Sequence, residues 1–102
     1  IIKMNIVNGL LDGVSMLYFE NKKQKEQRSY KSGKFDGLWI TWNEQGEKMA
    51  EANYKDGKKH GKWLVWDEKG TLRYEMYYED GVRKGKWTMW DDTGKLISEQ
   101  SY

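Results

Sequence analysis

The sequence predicts an all-β fold, a repeat array of antiparallel β-hairpins joined into an elongated, twisted meander, and three observations carry that prediction. The pattern G-x3-G-x-W-x2-W-x3-G-x4-E-x2-Y recurs three times without a gap between Gly33 and Tyr102, at a period of 24 residues. Hairpin-type dipeptides, Ser32-Gly33, Asp56-Gly57 and Asp80-Gly81, stand one period apart and mark tight turns. Glycines interrupt the chain so often that no apolar stripe of helical period survives between them. Self-similarity at a period of 20 to 50 residues is the signature of a repeat architecture.

The elements follow in chain order. Residues 1–8 align with the end of a repeat, Ile6 falling on the Tyr column and Asn8 on the Asp position. The chain therefore starts in mid-repeat, and with no initiator Met it reads as a segment of a longer chain or a processed product. Residues 9–32 form a degenerate copy that keeps Gly9, Gly13, Tyr18 and Tyr30 but has Ser15 in the first Trp column, Lys22 in the third Gly column and Gln27 in the Glu column. Residues 33–56, 57–80 and 81–102 are the regular copies of a single repeat domain.

Within a copy, Gly61 to Trp66 reads as a strand because aromatic and β-branched residues dominate it. Asp67 and Gly70 bound a type I turn, and Asn43 to Gly46 and Asp91 to Gly94 repeat its chemistry. Thr71 to Tyr78 is the return strand. Two strands at about 4.8 Å each advance the array by about 9.6 Å per repeat.

With Gly70 in the left-handed position, Asp67 pairs with Thr71, and an unbroken ladder then places Trp66 opposite Leu72, Val65 opposite Arg73 and Trp63 opposite Glu75. That register offers the Glu75 carboxylate to the Trp63 indole N–H, and by repetition Glu51 to Trp39 and Glu99 to Trp87. Ser15 and Gln27 depart from both columns in the same copy, as such a pairing requires.

Composition narrows the function. The chain is 37% hydrophobic and 33% charged but 15% aromatic, so thin sheets with aromatic ladders, not a thick core, bury what is buried. A net charge of +2 with periodic aromatics is not the profile of a disordered tail. No apolar run reaches membrane-spanning length, and the absence of Cys leaves both a cytoplasmic and an exported location open.

The same columns resemble the variant form of the MORN repeat, carried by Gly57 through Gly61, Lys62-Trp63, Trp66, Gly70, Glu75 and Tyr78. Trp42, Trp66 and Trp90 stand where variant repeats commonly carry Tyr. The resemblance implies an elongated antiparallel sheet that binds protein, in bacterial proteins often labelled as antitoxin components, and neither catalysis nor a cofactor is expected.

The residues point the same way. His60, the one His, sits in a Gly-flanked turn and reads as a solvated turn residue, and one His makes no metal site. Glu51, Glu75 and Glu99 occupy equivalent positions, whereas catalytic carboxylates work in unlike pairs. Candidate partner-binding or structural aromatics are Trp39, Trp42, Trp63, Trp66, Trp87, Trp90, Tyr54, Tyr78 and Tyr102. Lys58, Lys59, Arg83 and Lys84 form a basic rim with the chemistry to hold anions, while Glu44, Asp67, Glu68, Asp91 and Asp92 make the opposite rim acidic.

The leading expectation is a non-catalytic protein-binding scaffold, antitoxin- or immunity-like. The first alternative is a membrane-surface module holding anionic phospholipid on its basic turns. The second is an aromatic cage similar to cell-wall choline-binding repeats, against which the 24-residue period and the G-x-W-x2-W spacing argue. Acidic turns and a small net charge weigh against nucleic acid. Open sheet edges invite self-association.

Overall fold

The computed structural model describes residues 2–3, 6–7 and 9–102. Asn8, expected to open the first hairpin turn, lies outside them. Its strands are β1 (Ile2–Lys3), β2 (Ile6–Val7), β3 (Leu10–Leu11), β4 (Gly13–Tyr18), β5 (Gln24–Lys31), β6 (Lys34–Trp42), β7 (Lys48–Lys55), β8 (Lys58–Lys59), β9 (Gly61–Trp66), β10 (Leu72–Glu79), β11 (Val82–Arg83), β12 (Lys86–Trp90) and β13 (Leu96–Ser101).

The main sheet is an antiparallel meander in the order β1-β4-β5-β6-β7-β9-β10-β12-β13, with β8 pairing β7 and β11 pairing β10. A short β2-β3 ladder stands beside it. The Cα trace measures 46 × 35 × 9 Å. A thickness below the ~10 Å that separates two packed sheets makes this a single layer, open and not closed into a barrel.

A single layer has almost no interior. Among the described residues Ile40 and Ala52 are the buried hydrophobic ones, and all six tryptophans are half-buried. Backbone ladders and side-chain rows on the two faces therefore hold the sheet.

Two turn types alternate, as the sequence requires. At one end of the strands Ser32-Gly33, Asp56-Gly57 and Asp80-Gly81 adopt φ near 50° and 82°, the pair of positive angles of a type I′ turn. Successive turns are tied together by Gly33 N–H to Leu11 O, Gly57 N–H to Phe35 O and Gly81 N–H to Lys59 O, at 2.7 to 2.8 Å. At the other end the Asp67 carboxylate accepts the Lys69 and Thr71 N–H groups at 2.9 and 3.0 Å, and Gly70 takes φ 84°. Asn43 and Asp91 do the same in their turns. The degenerate copy has Lys22 at the glycine position with φ 70°, and Asn21 supplies the side-chain acceptor for Lys23 N–H.

The register departs from the unbroken ladder after one step. Asp67 N–H meets Thr71 O, and Trp66 lies opposite Leu72, as expected. Arg73 is then a one-residue bulge, so Val65 faces Tyr74, Leu64 faces Glu75 and Trp63 faces Met76. Lys25, Met49 and Ile97 are bulged at the equivalent positions. A one-residue slip moves side chains to the other face. Glu75 therefore lies on the face opposite Trp63, and the expected Trp–Glu pairing within a copy does not form. The Glu75 carboxylate instead accepts the Tyr77 hydroxyl at 2.9 Å, Glu51 meets Lys48 at 3.4 Å and Glu99 meets Lys86 at 3.1 Å.

A second irregularity sits at Gly37, Gly61 and Gly85, all at positive φ. Across Tyr54 the register jumps by two residues between Lys59 and Leu64. At Gly37 a Cβ would come within 3.2 Å of the Ser29 Cβ, so the neighbouring strand also leaves no room there.

A candidate docking face

Strand alternation divides the side chains into two unlike faces. One carries Tyr30, Phe35, Trp39, Tyr54, Lys59, Trp63, Tyr78, Arg83, Trp87 and Tyr102. The other carries Trp42, Trp66 and Trp90 among lysines and glutamates such as Lys62, Glu75, Lys86 and Glu99. The two Trp columns of the sequence thus serve different surfaces, because an offset of three in a strand reverses the direction of the side chain.

On the first face the rings form a ladder that crosses the strands. Centroids are 6.0 Å apart for Tyr54 and Trp63, 5.7 Å for Trp63 and Tyr78, and 5.2 Å for Tyr78 with Trp87 and for Trp87 with Tyr102. Trp39 joins edge-on to Trp63 at 6.0 Å. Such tilted and edge-to-face contacts suit the ring quadrupoles.

Lys59 and Arg83, placed in the basic rim by sequence, belong to this ladder. The Lys59 ammonium lies 4.7 Å from the Trp63 ring centroid and 4.9 Å from that of Tyr78. The Arg83 guanidinium lies 5.1 Å from Trp87 and 5.4 Å from Tyr102. Phe35 fills the same column one repeat earlier, stacked on Tyr30 and tilted against Tyr54, each at 5.1 Å. Aromatic and cation are interchangeable there because both sit on a ring face. The column was visible in the sequence as Phe35, Lys59 and Arg83 at 24-residue intervals, and that was the missed signal.

At the N-terminal end of this face, Glu26 accepts the Trp39 indole N–H and a two-point contact from Arg28 at 2.8 and 3.0 Å. Burial raises the Glu26 pKa, but Arg28 and the indole outweigh it and leave the carboxyl below its ordinary range. Neither Glu26 nor Arg28 was singled out by sequence. The Trp87 indole donates to Tyr77 O at 2.9 Å instead of to a carboxylate. Burial, and then the neighbouring Tyr78, push the Tyr54 hydroxyl pKa upward.

The anion-binding residues expected from sequence do not converge. Lys58 and Lys84 lie on the opposite face from Lys59 and Arg83, and Lys84 is ion-paired with Glu79. Asp36, Asp56 and Asp80 share that rim, with the Asp36 carboxylate accepting the Asp56 N–H at 3.2 Å. His60 also departs from its reading as a solvated turn residue. It is half-buried, and its Nδ1 is buried without a hydrogen-bond partner. In the repeat it occupies the column of Asp12 and Asp36, one residue before the positive-φ Gly61. Among the described residues no cluster of three or more His, Asp or Glu side chains has the arrangement to hold a metal ion, and no helix is long and apolar enough to cross a membrane.

A single-layer array of hairpins with side-chain ladders on both faces defines a repeat scaffold, a class of protein whose working part is its surface. The chain belongs to the MORN repeat family in its variant form: the MORN repeat variant matches residues 35–56, 59–81 and 83–102. Proteins of this family are non-catalytic scaffolds for protein interaction, and this chain is one of them. No curated protein matches it.

Proposed function

We propose that the aromatic face bearing Trp63, Tyr78, Trp87 and Tyr102 is where the scaffold holds its protein partner, in an antitoxin- or immunity-like role. One observation carries the reading: the half-exposed ring ladder extends from β7 to the residue that follows β13 on an uncovered face with, among the described residues, no free carboxylate of its own, since Glu26 is taken by Arg28 and Trp39. Interface cores favour aromatics, Met and Arg and exclude unpaired acids. The opposite face, a mosaic of ion pairs, has the composition of solvated surface.

The alternatives draw less support. Lipid phosphate needs converging cations, and Lys58, Lys59, Arg83 and Lys84 are divided between two faces and interleaved with carboxylates. A quaternary ammonium needs empty ring faces, and Lys59 and Arg83 already occupy them. Self-association is a subsidiary proposal that rests on β13, whose one sheet neighbour is β12 and whose Leu96 and Ile97 are exposed. A bacterial setting, cytoplasmic or exported, is part of the same proposal and follows the family resemblance.

The test is affinity capture with two pairs of variants that each place new glutamates on one face. Arg83→Glu and Gln100→Glu alter the aromatic face, whereas Lys62→Glu and Lys86→Glu alter the other. A protein retained by the unaltered chain, lost with the first pair and kept with the second supports the reading. Loss with the second pair and retention with the first refutes it.

A further inference from the structure

We infer that the occupant of the aromatic face is an acidic, proline-rich segment in the polyproline II conformation; the inference rests on that face being the docking surface. Three features of the face select this chemistry.

The first is pitch. Equivalent rings, such as Trp63 and Trp87, recur every second strand, about 9.6 Å apart at the usual strand spacing. A polyproline II helix has three residues per turn and rises about 3.1 Å per residue, so it presents a like-facing residue every ~9.3 Å. A β-strand repeats its face at about 6.7 Å. An α-helix returns at about 5.4 Å, or at about 10.5 Å over seven residues. Polyproline II drifts against the ladder by about 0.3 Å per repeat and the α-helical heptad by about 0.9 Å, so the former stays in step across the array.

The second is shape. Neighbouring rings are tilted by 54° to 62° and not stacked flat, so ridges alternate with clefts. Beside them an apolar notch of about 60 Å³ is lined by Tyr74, Met76, Trp87 and Met89. Aromatic-lined grooves are the surfaces on which preformed polyproline II segments dock at low entropic cost.

The third is charge. Lys59 and Arg83 stand one repeat apart on this face, and among the described residues neither is in an ion pair. Acidic residues at every third position of a polyproline II segment share one side and one spacing, so a single register places a carboxylate beside each cation. The prolines between them then face the rings.

The experiment is fluorescence anisotropy of three labelled peptides, (Pro-Pro-Glu)4, (Pro-Pro-Lys)4 and (Gly-Gly-Glu)4, against the whole chain. The first should bind at least about tenfold tighter than each of the others, a difference of about 1.4 kcal/mol. Arg83→Glu should weaken it about tenfold and shift preference toward the lysine peptide, an inversion that a misfolded variant does not produce. Lys62→Glu, on the other face, should leave it within about twofold. Equal binding of the three peptides, no binding of the first, or equal losses with both variants overturns the inference. If the peptides fail while capture of a protein still depends on Arg83 and Gln100, the polyproline II occupant falls and the docking face stands. If capture is also indifferent to them, both fall.

Discussion

Removing the Trp63 ring should cost about twice as much stability as removing Trp66, although sequence gives the two equal standing. Both are half-buried. Half of the 150–250 Å² that a Trp buries, at about 25 cal/mol per Å², contributes roughly 2 to 3 kcal/mol in either case. Trp63 also has ring contacts with Trp39, Tyr54 and Tyr78, and Lys59 rests on it. Three aromatic pairs at roughly 0.5 kcal/mol each and one exposed cation–π contact of about 0.5 kcal/mol add about 2 kcal/mol. Trp63→Ala should therefore lose about 4 to 5 kcal/mol and Trp66→Ala about 2 to 3 kcal/mol, against a total of ~5–15 kcal/mol for an ordinary domain. Urea unfolding followed by far-ultraviolet circular dichroism reads both. Equal losses for the two variants, or a larger one for Trp66, would refute the claim that the ring ladder makes Trp63 the stronger support of the sheet.

Other perturbations follow from single residues. Lys22→Gly relieves a left-handed backbone at φ 70° and should stabilise by about 0.5 kcal/mol, the strain relieved being partly offset by the entropy of the unfolded chain; a lower urea midpoint would contradict this. Glu26 has a folded pKa below its unfolded one, so its contribution is complete above the unfolded value and disappears as pH falls through the folded value. Glu26→Gln should accordingly flatten the acid limb of stability below about pH 4.3, measured by thermal melts across pH, and an unchanged limb would contradict the assignment. Phe35→Arg should cost under about 1 kcal/mol because a cation fills that column in the later copies, whereas Phe35→Glu should cost about 2 kcal/mol or more; the same urea midpoints decide between them.

The sequence made most of the fold legible, because turn geometry leaves few residues to choose from. Left-handed positions demanded Gly70 and its equivalents, and paired positive angles demanded Asp56-Gly57 and its equivalents. Strand order followed from those turns. The bulge at Arg73 was not legible, since its equivalents are Lys25, Met49 and Ile97 and share no side-chain chemistry. That single residue moved Glu75 across the sheet and removed the expected partner of Trp63. The Trp and Tyr rings of the aromatic face stand in regular columns of the sequence. The place of Lys59 and Arg83 on those rings was not legible, because a cation beside a glycine turn reads as a solvated rim residue until the neighbouring strand brings Tyr78 or Tyr102 under it.

Face-selective docking can be tested by the six indole N–H signals in a ¹⁵N correlation spectrum recorded as the captured partner is added. Three belong to each face, so one titration samples both surfaces at once. The signals of Trp63 and Trp87 should shift or broaden, while those of Trp42, Trp66 and Trp90 hold their positions. Perturbation confined to Trp42, Trp66 and Trp90 would place the partner on the charged face and contradict the account.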